Sequence, residues 1–254
     1  MAATFTVFQN TLPDPLNKIG YAGQSDANAT GASNGPGYAS VKFSSEQPVI
    51  RDRTNSGRIL ARAVAAHNWK INITYNPMTR EEFEPVFNFL LQRRGGLNPF
   101  YVSLPQYSAP QDTNFATFVD GGIIESKYAY TSGATKVFLK GAGGYTTSSN
   151  GIPRPGDIFT ISGTNSNHKK VYQVTRTETN SDYNTALTIN SQTQPLTDEV
   201  RIHFVPALQK NIDTGDDFIF NNPLVKVILA SDIQEYSLNT NNLYSFSLNL
   251  EEVQ

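Results

Sequence analysis

The run Trp69-Lys-Ile-Asn-Ile-Thr-Tyr75 alternates apolar and polar residues without a break. A period of two is the signature of a strand with one face in a core and the other facing outward. Asn76-Pro77 ends it. Thr79-Arg-Glu-Glu82 then has the spacing of a capping box, in which a threonine and a glutamate satisfy free backbone donors at a helix start. A helix is predicted to follow, with Phe83, Val86, Phe87, Leu90 and Leu91 at helical spacing on one face and Gly95-Gly96 as the stop. Pro85 is the one discord, predicting a kink or a later start, because it removes a hydrogen bond past the first turn. Pro99-Phe-Tyr-Val-Ser-Leu-Pro105 reads as a second strand closed by proline.

The composition suits a mainly β protein. Hydrophobic residues make up 38% of the 254, and they include 12 tyrosines and 15 phenylalanines, which favour strands. Charged residues are only 17%, so solubility rests largely on uncharged polar groups. A net charge of −2 provides no clustered basic footprint for nucleic acid, and sequence-specific nucleic-acid binding is not expected. The absence of cysteine excludes disulfides, thiolate metal sites and cysteine nucleophiles. The first residues, Met1-Ala-Ala-Thr-Phe-Thr-Val-Phe8, read as a strand and not as a signal peptide. No apolar run approaches the roughly 18 residues needed to cross a bilayer, so direct membrane insertion is not expected.

Gly20 to Ser40 is dense in Gly, Ala, Ser and Asn and is predicted to be a loop, either mobile or ordered by a neighbouring subunit. The segment Val49 to Arg62 carries Arg51, Arg53, Arg58 and Arg62, with Asp52 among them. It is a place to look for a phosphate site. The better-supported reading is an edge strand or loop whose arginines are solvated or make salt bridges between subunits, which makes these four the candidate assembly interface.

From Gln106 to Gln209 the chain changes to short β-like runs, among them Val137-Phe-Leu, Asp157-Ile-Phe-Thr-Ile, Val171-Tyr-Gln-Val-Thr and Val200-Arg-Ile-His-Phe-Val. Turn signals such as Gly121-Gly122 and Asn150-Gly151 separate them, at intervals typical of a small barrel or sandwich. Strong strands return at Leu224-Val-Lys-Val-Ile-Leu and at Tyr244-Ser-Phe-Ser-Leu-Asn-Leu250. There is no internal repeat.

No residue set calls for catalysis, a cofactor or a metal. His67, His168 and His203 lack ligand partners at zinc spacing. No Gly-x-Ser-x-Gly elbow or phosphate-binding Gly-rich loop is present. Glu81, Glu82 and Glu84 suit the positive end of a helix dipole. Asp213-Thr-Gly-Asp-Asp217 lacks the twelve-residue calcium pattern and reads as an acidic turn. Tyr107, Tyr128, Tyr130, Tyr145 and Tyr183 could stack on sugar, although tyrosines in small barrels are ordinarily core and rim residues.

In order, Trp69-Lys-Ile-Asn-Ile-Thr-Tyr, Arg80-Glu-Glu-Phe, Phe89-Leu-Leu-Gln-Arg-Arg-Gly-Gly96 and Phe100-Tyr-Val-Ser-Leu-Pro105 resemble the core segment of the minor tail proteins of lambda-like phages, the family typified by minor tail protein M. The final Tyr244-to-Glu252 strand is similar to that family's last strand. The candidate fold-defining positions are Trp69, Thr79, Glu82, Phe87, Leu90, Gly95, Gly96, Phe100 and Pro105. The middle runs Gly156-Asp157-Ile-Phe and Lys170-Val-Tyr-Gln-Val resemble the small barrels on distal tail or baseplate hub proteins of other phages.

The resemblance implies a tail-tube-like β-barrel or sandwich with one flanking α-helix, carrying an inserted small β-barrel domain. Residues 1–105 with 210–254 would form the discontinuous ring domain and 106–209 the insertion. It further implies a non-enzymatic virion protein, made in the host cytoplasm. Such a protein forms a self-associating ring, a trimer or hexamer, that contacts the tail tube protein and other tail tip or baseplate proteins and contributes to the channel for DNA ejection. The alternative is a carbohydrate-binding, receptor-binding or fibre-anchoring tail protein.

Overall fold

The Trp69 alternation becomes a strand that buries Trp69, Ile71, Ile73 and Tyr75 on one side and leaves Lys70, Asn72 and Thr74 exposed on the other. The computed structural model describes residues 10–16, 35–63, 67–141, 145–163, 168–179, 182, 188–189, 192–193 and 199–253. The expected strand at residues 1–8 and most of the expected loop from Gly20 lie outside these, but strand structure already begins at Tyr38, inside the stretch expected to be loop.

In chain order the first elements are β1 (Tyr38–Glu46), β2 (Val49–Arg53), β3 (Ile59–Ala63), β4 (Asn68–Tyr75), α1 (Arg80–Gln92) and β5 (Phe100–Val102). Then come α2 (Thr113–Gly121), β6 (Ile124–Ser126), β7 (Lys136–Gly141), α3 (Thr147–Asn150), β8 (Ile158–Ser162) and β9 (His168–Glu178). The last are β10 (Thr188–Ile189), β11 (Gln192–Thr193), β12 (Glu199–Val205), β13 (Asp217–Ile219), β14 (Val225–Leu229), β15 (Tyr236–Leu238) and β16 (Tyr244–Glu252). The chain divides into two compact units, Met1–Ser103 with Lys226–Gln254, and Leu104–Val225.

The first unit is a sheet in the order β1-β4-β16-β14-β5, with β15 attached to β16. The chain's last strand is therefore central, hydrogen-bonded to β4 on one side and β14 on the other. Its register sets Leu248 opposite Ile73 and Leu250 opposite Ile71 on the buried face, and Ser247 opposite Thr74 and Asn249 opposite Asn72 on the outer face. A slip of one residue would exchange the two sets, so the buried face pins the register. Phe83, Val86, Phe89 and Leu90 of α1 are buried with these strands.

Helix α1 starts where the sequence predicts. The Glu82 carboxylate accepts from the Thr79 backbone N–H at 2.9 Å and from the Thr79 hydroxyl at 3.0 Å. Pro85 lies within an uninterrupted helix and does not delay its start. The carbonyl it leaves unpaired belongs to exposed Glu81, where solvent can accept the role of partner. The predicted stripe is corrected at one place: Phe89 is buried, its ring 5.4 Å from Phe100, whereas Leu91 is 54% exposed. The helix ends at Gln92, and Arg94 and Gly95 take positive φ of 56° and 64°. At Gly95 a Cβ would lie 2.7 Å from Asp232 Oδ1, so the stop needs glycine for space as well as backbone angle. The strand predicted over Pro99–Pro105 is shorter, because Pro105 begins a 3₁₀ turn, Pro105–Tyr107.

The second unit contains a closed six-stranded barrel, β12-β7-β6-β13-β8-β9. Its core includes Phe159, Tyr172, Phe204, Phe218 and Phe220, with α2 contributing Phe115. The protein is thus mainly β with a closed small barrel and few helices. The closed cylinder is that of the second unit; the described strands of the first form an open sheet. The sequence placed the return to the first unit at residue 210, but β13 pairs with β6 and β8 in the barrel.

Candidate interaction surface

Strands β2 and β3 form a hairpin of their own, paired from Val49 with Ala63 to Arg53 with Ile59. The tip is tightly bonded: Thr54 N–H donates to the Arg58 carbonyl at 2.9 Å, Gly57 N–H to the Thr54 carbonyl at 2.8 Å, and Arg58 N–H to the Thr54 hydroxyl at 3.1 Å. Gly57 has φ of 82°, as such a turn requires. Every residue of β2 is exposed. Cross-strand partners share a face, so Val49, Arg51, Arg53, Ile59 and Ala61 line one side, and Ile50, Asp52, Leu60 and Arg62 the other.

The structure therefore gathers Arg51, Arg53, Arg58 and Arg62 on one element, but splits them between two faces and the tip. Val49, Ile50, Ile59 and Leu60 are 43%, 62%, 56% and 51% exposed. A two-stranded hairpin with no covered face is marginal in water by itself. Four aliphatic residues, two on each side of this element, are left exposed. Charge on the strands also discourages indiscriminate edge pairing.

The fold-related positions named from sequence lie together in the first unit, except Pro105. Trp69, Leu90 and Phe100 are buried, Phe87 is half-buried, and Thr79 and Glu82 cap α1 at the surface. Phe83, Phe87, Tyr236, Tyr244 and Phe246 form an aromatic cluster, with the Phe83 ring 4.6 Å from Tyr244 and 5.0 Å from Tyr236. The sequence did not point to Tyr236, because β15 is only three residues long.

In the second unit the candidate residues have structural duties. Asp157 accepts from the backbone N–H groups of Gln111 and Arg154 at 3.0 and 2.7 Å. Asp216 accepts from the Asp213 N–H at 2.8 Å and closes the acidic turn around Gly215. Asp217 lies opposite Glu125 across the strands; burial, then the charges of Glu125 and Asp216, raise its carboxyl above the usual range. Glu178 is buried and paired with Arg176, Arg201 and His203. Burial alone pushes the Glu178 carboxyl up, but hydrogen bonds from Arg201 and His203 and their charge reverse this and bring it down to about 2. In the first unit, His67 is buried, with Nε2 2.9 Å from the Ser45 hydroxyl.

Tyr145 is a core residue whose hydroxyl donates to the Gly151 carbonyl at 2.8 Å. The Tyr130 hydroxyl accepts from the Phe138 N–H at 2.8 Å, and burial raises its pKa above the ordinary phenol value. Tyr128 is half-buried; burial and then the charge of Glu199 push it up to about 12. Tyr107 is half-buried beside a cavity of about 100 Å³ that also touches Asp157 and Phe220, and Tyr183 lies outside the described residues. Of the candidate tyrosines, the four described are buried or half-buried. No group of three or more His, Asp or Glu residues able to hold a metal occurs among the described residues, and no described helix is long and apolar enough to cross a membrane.

Helix α2 was missed in sequence. Its signal was present: Asp112 accepts from the N–H groups of Asn114 and Phe115 at 3.0 and 3.1 Å, and Phe115, Phe118 and Val119 follow at helical spacing. Arg154 holds the same carboxylate at 3.0 Å.

The architecture defines a class: a β protein of two units, one an open sheet bearing an exposed cationic hairpin and one a closed barrel, whose buried charges serve the fold. Comparison with known proteins gives that class a setting. Residues 26–107 match the family described as the N-terminal part of the A domain of distal tail protein pb9. Over 246 residues the chain is 26% identical to distal tail protein pb9 of Escherichia phage T5, covering 95% of this chain and 98% of that protein. The chain is thus similar to phage distal tail proteins along nearly its whole length, across both units. The likeness expected from sequence to tail proteins of phages is shown, and it falls on the distal tail side of that expectation.

Proposed function

We propose that this chain is a structural component of a bacteriophage tail tip or baseplate: a distal tail or hub subunit that joins the tail tube to the tip and encloses part of the DNA ejection channel. The observation that carries this reading is the similarity to a distal tail protein over nearly the full length of both chains. It needs no reacting group, which fits a set of buried charges already engaged in turns, caps and ion pairs. In this reading the protein is not an enzyme, is made in the host cytoplasm and resides in the virion tail.

Its partners are further copies of itself in a trimeric or hexameric ring, the tail tube protein, and neighbouring tip or baseplate proteins. The β2–β3 hairpin with Arg51, Arg53, Arg58 and Arg62 is the assembly surface on the first unit. A hairpin exposed on both faces suits a subunit whose apolar strands are covered only in a closed symmetric assembly. Light scattering on the purified protein, alone and with tail tube protein, tests this. A mass of a discrete trimer or hexamer, or a complex with tube protein, is expected; a monomer that stays so with tube protein present overturns it.

A further inference from the structure

We infer that the β2–β3 hairpin of one copy docks on the face formed by α1 and the 231–238 segment of the next copy, so that one heterologous contact repeats around the assembly. This rests on the assembly reading above and names the surface that receives the hairpin.

The receiving face is apolar at its centre. The segment at 231–238 runs along the helix: at one end the Asp232 carboxylate accepts from the Gly96 N–H at 3.3 Å, and at the other the Tyr236 ring lies 5.5 Å from Phe87 and 5.0 Å from Phe83. Leu91, one turn beyond Phe87, is 54% exposed. Ile233, Tyr236 and Leu238 are 70%, 50% and 52% exposed. Four large apolar side chains left open on adjoining elements are a surface for a partner, not a satisfied exterior.

Its rim has the opposite charge to the hairpin. Residues 80–94 and 231–238 contain five carboxylates, Glu81, Glu82, Glu84, Asp232 and Glu235, all on exposed residues, against three arginines, of which Arg80 is ion-paired with Glu84 at 2.6 Å and Arg93 and Arg94 lie at the far end of the helix, so the face is net anionic. The hairpin segment 49–63 contains four arginines and one aspartate. On its Val49–Ile59 face the only charged groups are Arg51 and Arg53. Each surface is thus aliphatic in the middle with ionic groups beside it, cationic on one and anionic on the other, which is the complementarity that selects a partner and sets its orientation. The two surfaces differ, so the contact is head-to-tail, and a head-to-tail contact forms a ring when its rotation returns to the first copy.

The chain has no cysteine, so a designed pair reports cleanly. In the full-length protein, Ala61→Cys lies on the Arg51 and Arg53 face, Leu60→Cys on the opposite face, and Ile233→Cys on the receiving surface. Mild oxidation of the Ala61→Cys, Ile233→Cys double variant should produce a reducible ladder of multimers on a denaturing gel. Neither single variant should do so, and Leu60→Cys with Ile233→Cys should cross-link poorly. Charge reversal provides a second readout: Arg51→Glu with Arg53→Glu should weaken self-association roughly tenfold, and adding Glu81→Arg with Glu235→Arg should restore it.

Cross-linking of Ala61→Cys alone as efficiently as the pair would show hairpin meeting hairpin and overturn the proposal. A multimer by light scattering without a ladder from the double variant would overturn it while leaving the ring reading intact. A monomer at every concentration would overturn both.

Discussion

Glu178→Gln separates the two units by experiment. Glu178 is 4% exposed and takes ion pairs from Arg176 and Arg201 and a contact from His203 at 3.1 Å. Its carboxyl falls from the ordinary 4.5 to about 2. At ~1.4 kcal/mol for each tenfold change in proton affinity, that corresponds to about 3 kcal/mol favouring the folded barrel. The Arg176 side chain is 67% exposed, so solvent screening brings the expected loss in Glu178→Gln to about 2 kcal/mol at pH 7. The sign follows from a depressed acid: the contribution is complete above pH 4.5, declines as pH falls, and is gone below about 2. Trp69 is the single tryptophan, is buried, and belongs to the first unit. Urea unfolding followed by tryptophan emission therefore reports the first unit, and far-ultraviolet circular dichroism reports both. Glu178→Gln should lower only the component of the dichroism transition that the tryptophan signal lacks, with the difference from wild type vanishing in acid. An equal shift in tryptophan emission, or a difference that persists unchanged at pH 2, would refute the reasoning.

Asp217→Asn removes a carboxylate directly opposite Glu125, where like charges across a strand pair cost ~0.2–1 kcal/mol, so the variant should stabilise the barrel by that amount at neutral pH. Because the folded-state acid is weakened, the gain should disappear once pH falls below the ordinary carboxylate range; a gain independent of pH would contradict it. Gly95→Ala forces an L residue to φ of 64° and a Cβ against Asp232, and should lower first-unit stability by about 1–2 kcal/mol in tryptophan-detected unfolding. Leu250→Ala, in the central strand opposite Ile71, should cost about 2–5 kcal/mol by the same readout even though it lies at the far end of the chain from Trp69. Arg51→Glu with Arg53→Glu should leave both melting transitions nearly unchanged, because both residues are exposed and no core contact depends on them.

The first unit was legible where the local signals agreed. Alternation from Trp69 to Tyr75, the Thr79 and Glu82 cap and the Gly95 stop each follow from a short stretch of chain, and each is realised within a residue or two. What local signals could not give was the pairing across long separations, although the resemblance implied that residues 210–254 join residues 1–105 in one unit. Nothing local tells Leu248 to face Ile73, or puts the last strand at the centre of a sheet, since that pairing is decided by packing between segments some 175 residues apart. Helix stripes are ambiguous at their edges for the same reason, and so Leu91 was placed in the core and Phe89 was not. Strand β13 is only three residues long and follows an acidic turn, so the sequence carries little to mark the end of the barrel. The arginines of the hairpin were visible in sequence, but their distribution over two faces depends on a register that only the paired strands reveal.

Imaging of the virion that encodes this chain tests the central claim most directly. With a gold-labelled antibody against the protein, negative-stain microscopy should place the label at the end of the tail, at the junction between tube and tip, on most particles. Label on the capsid, label spread along the tube, or intact virions that lack the protein would contradict a distal tail subunit.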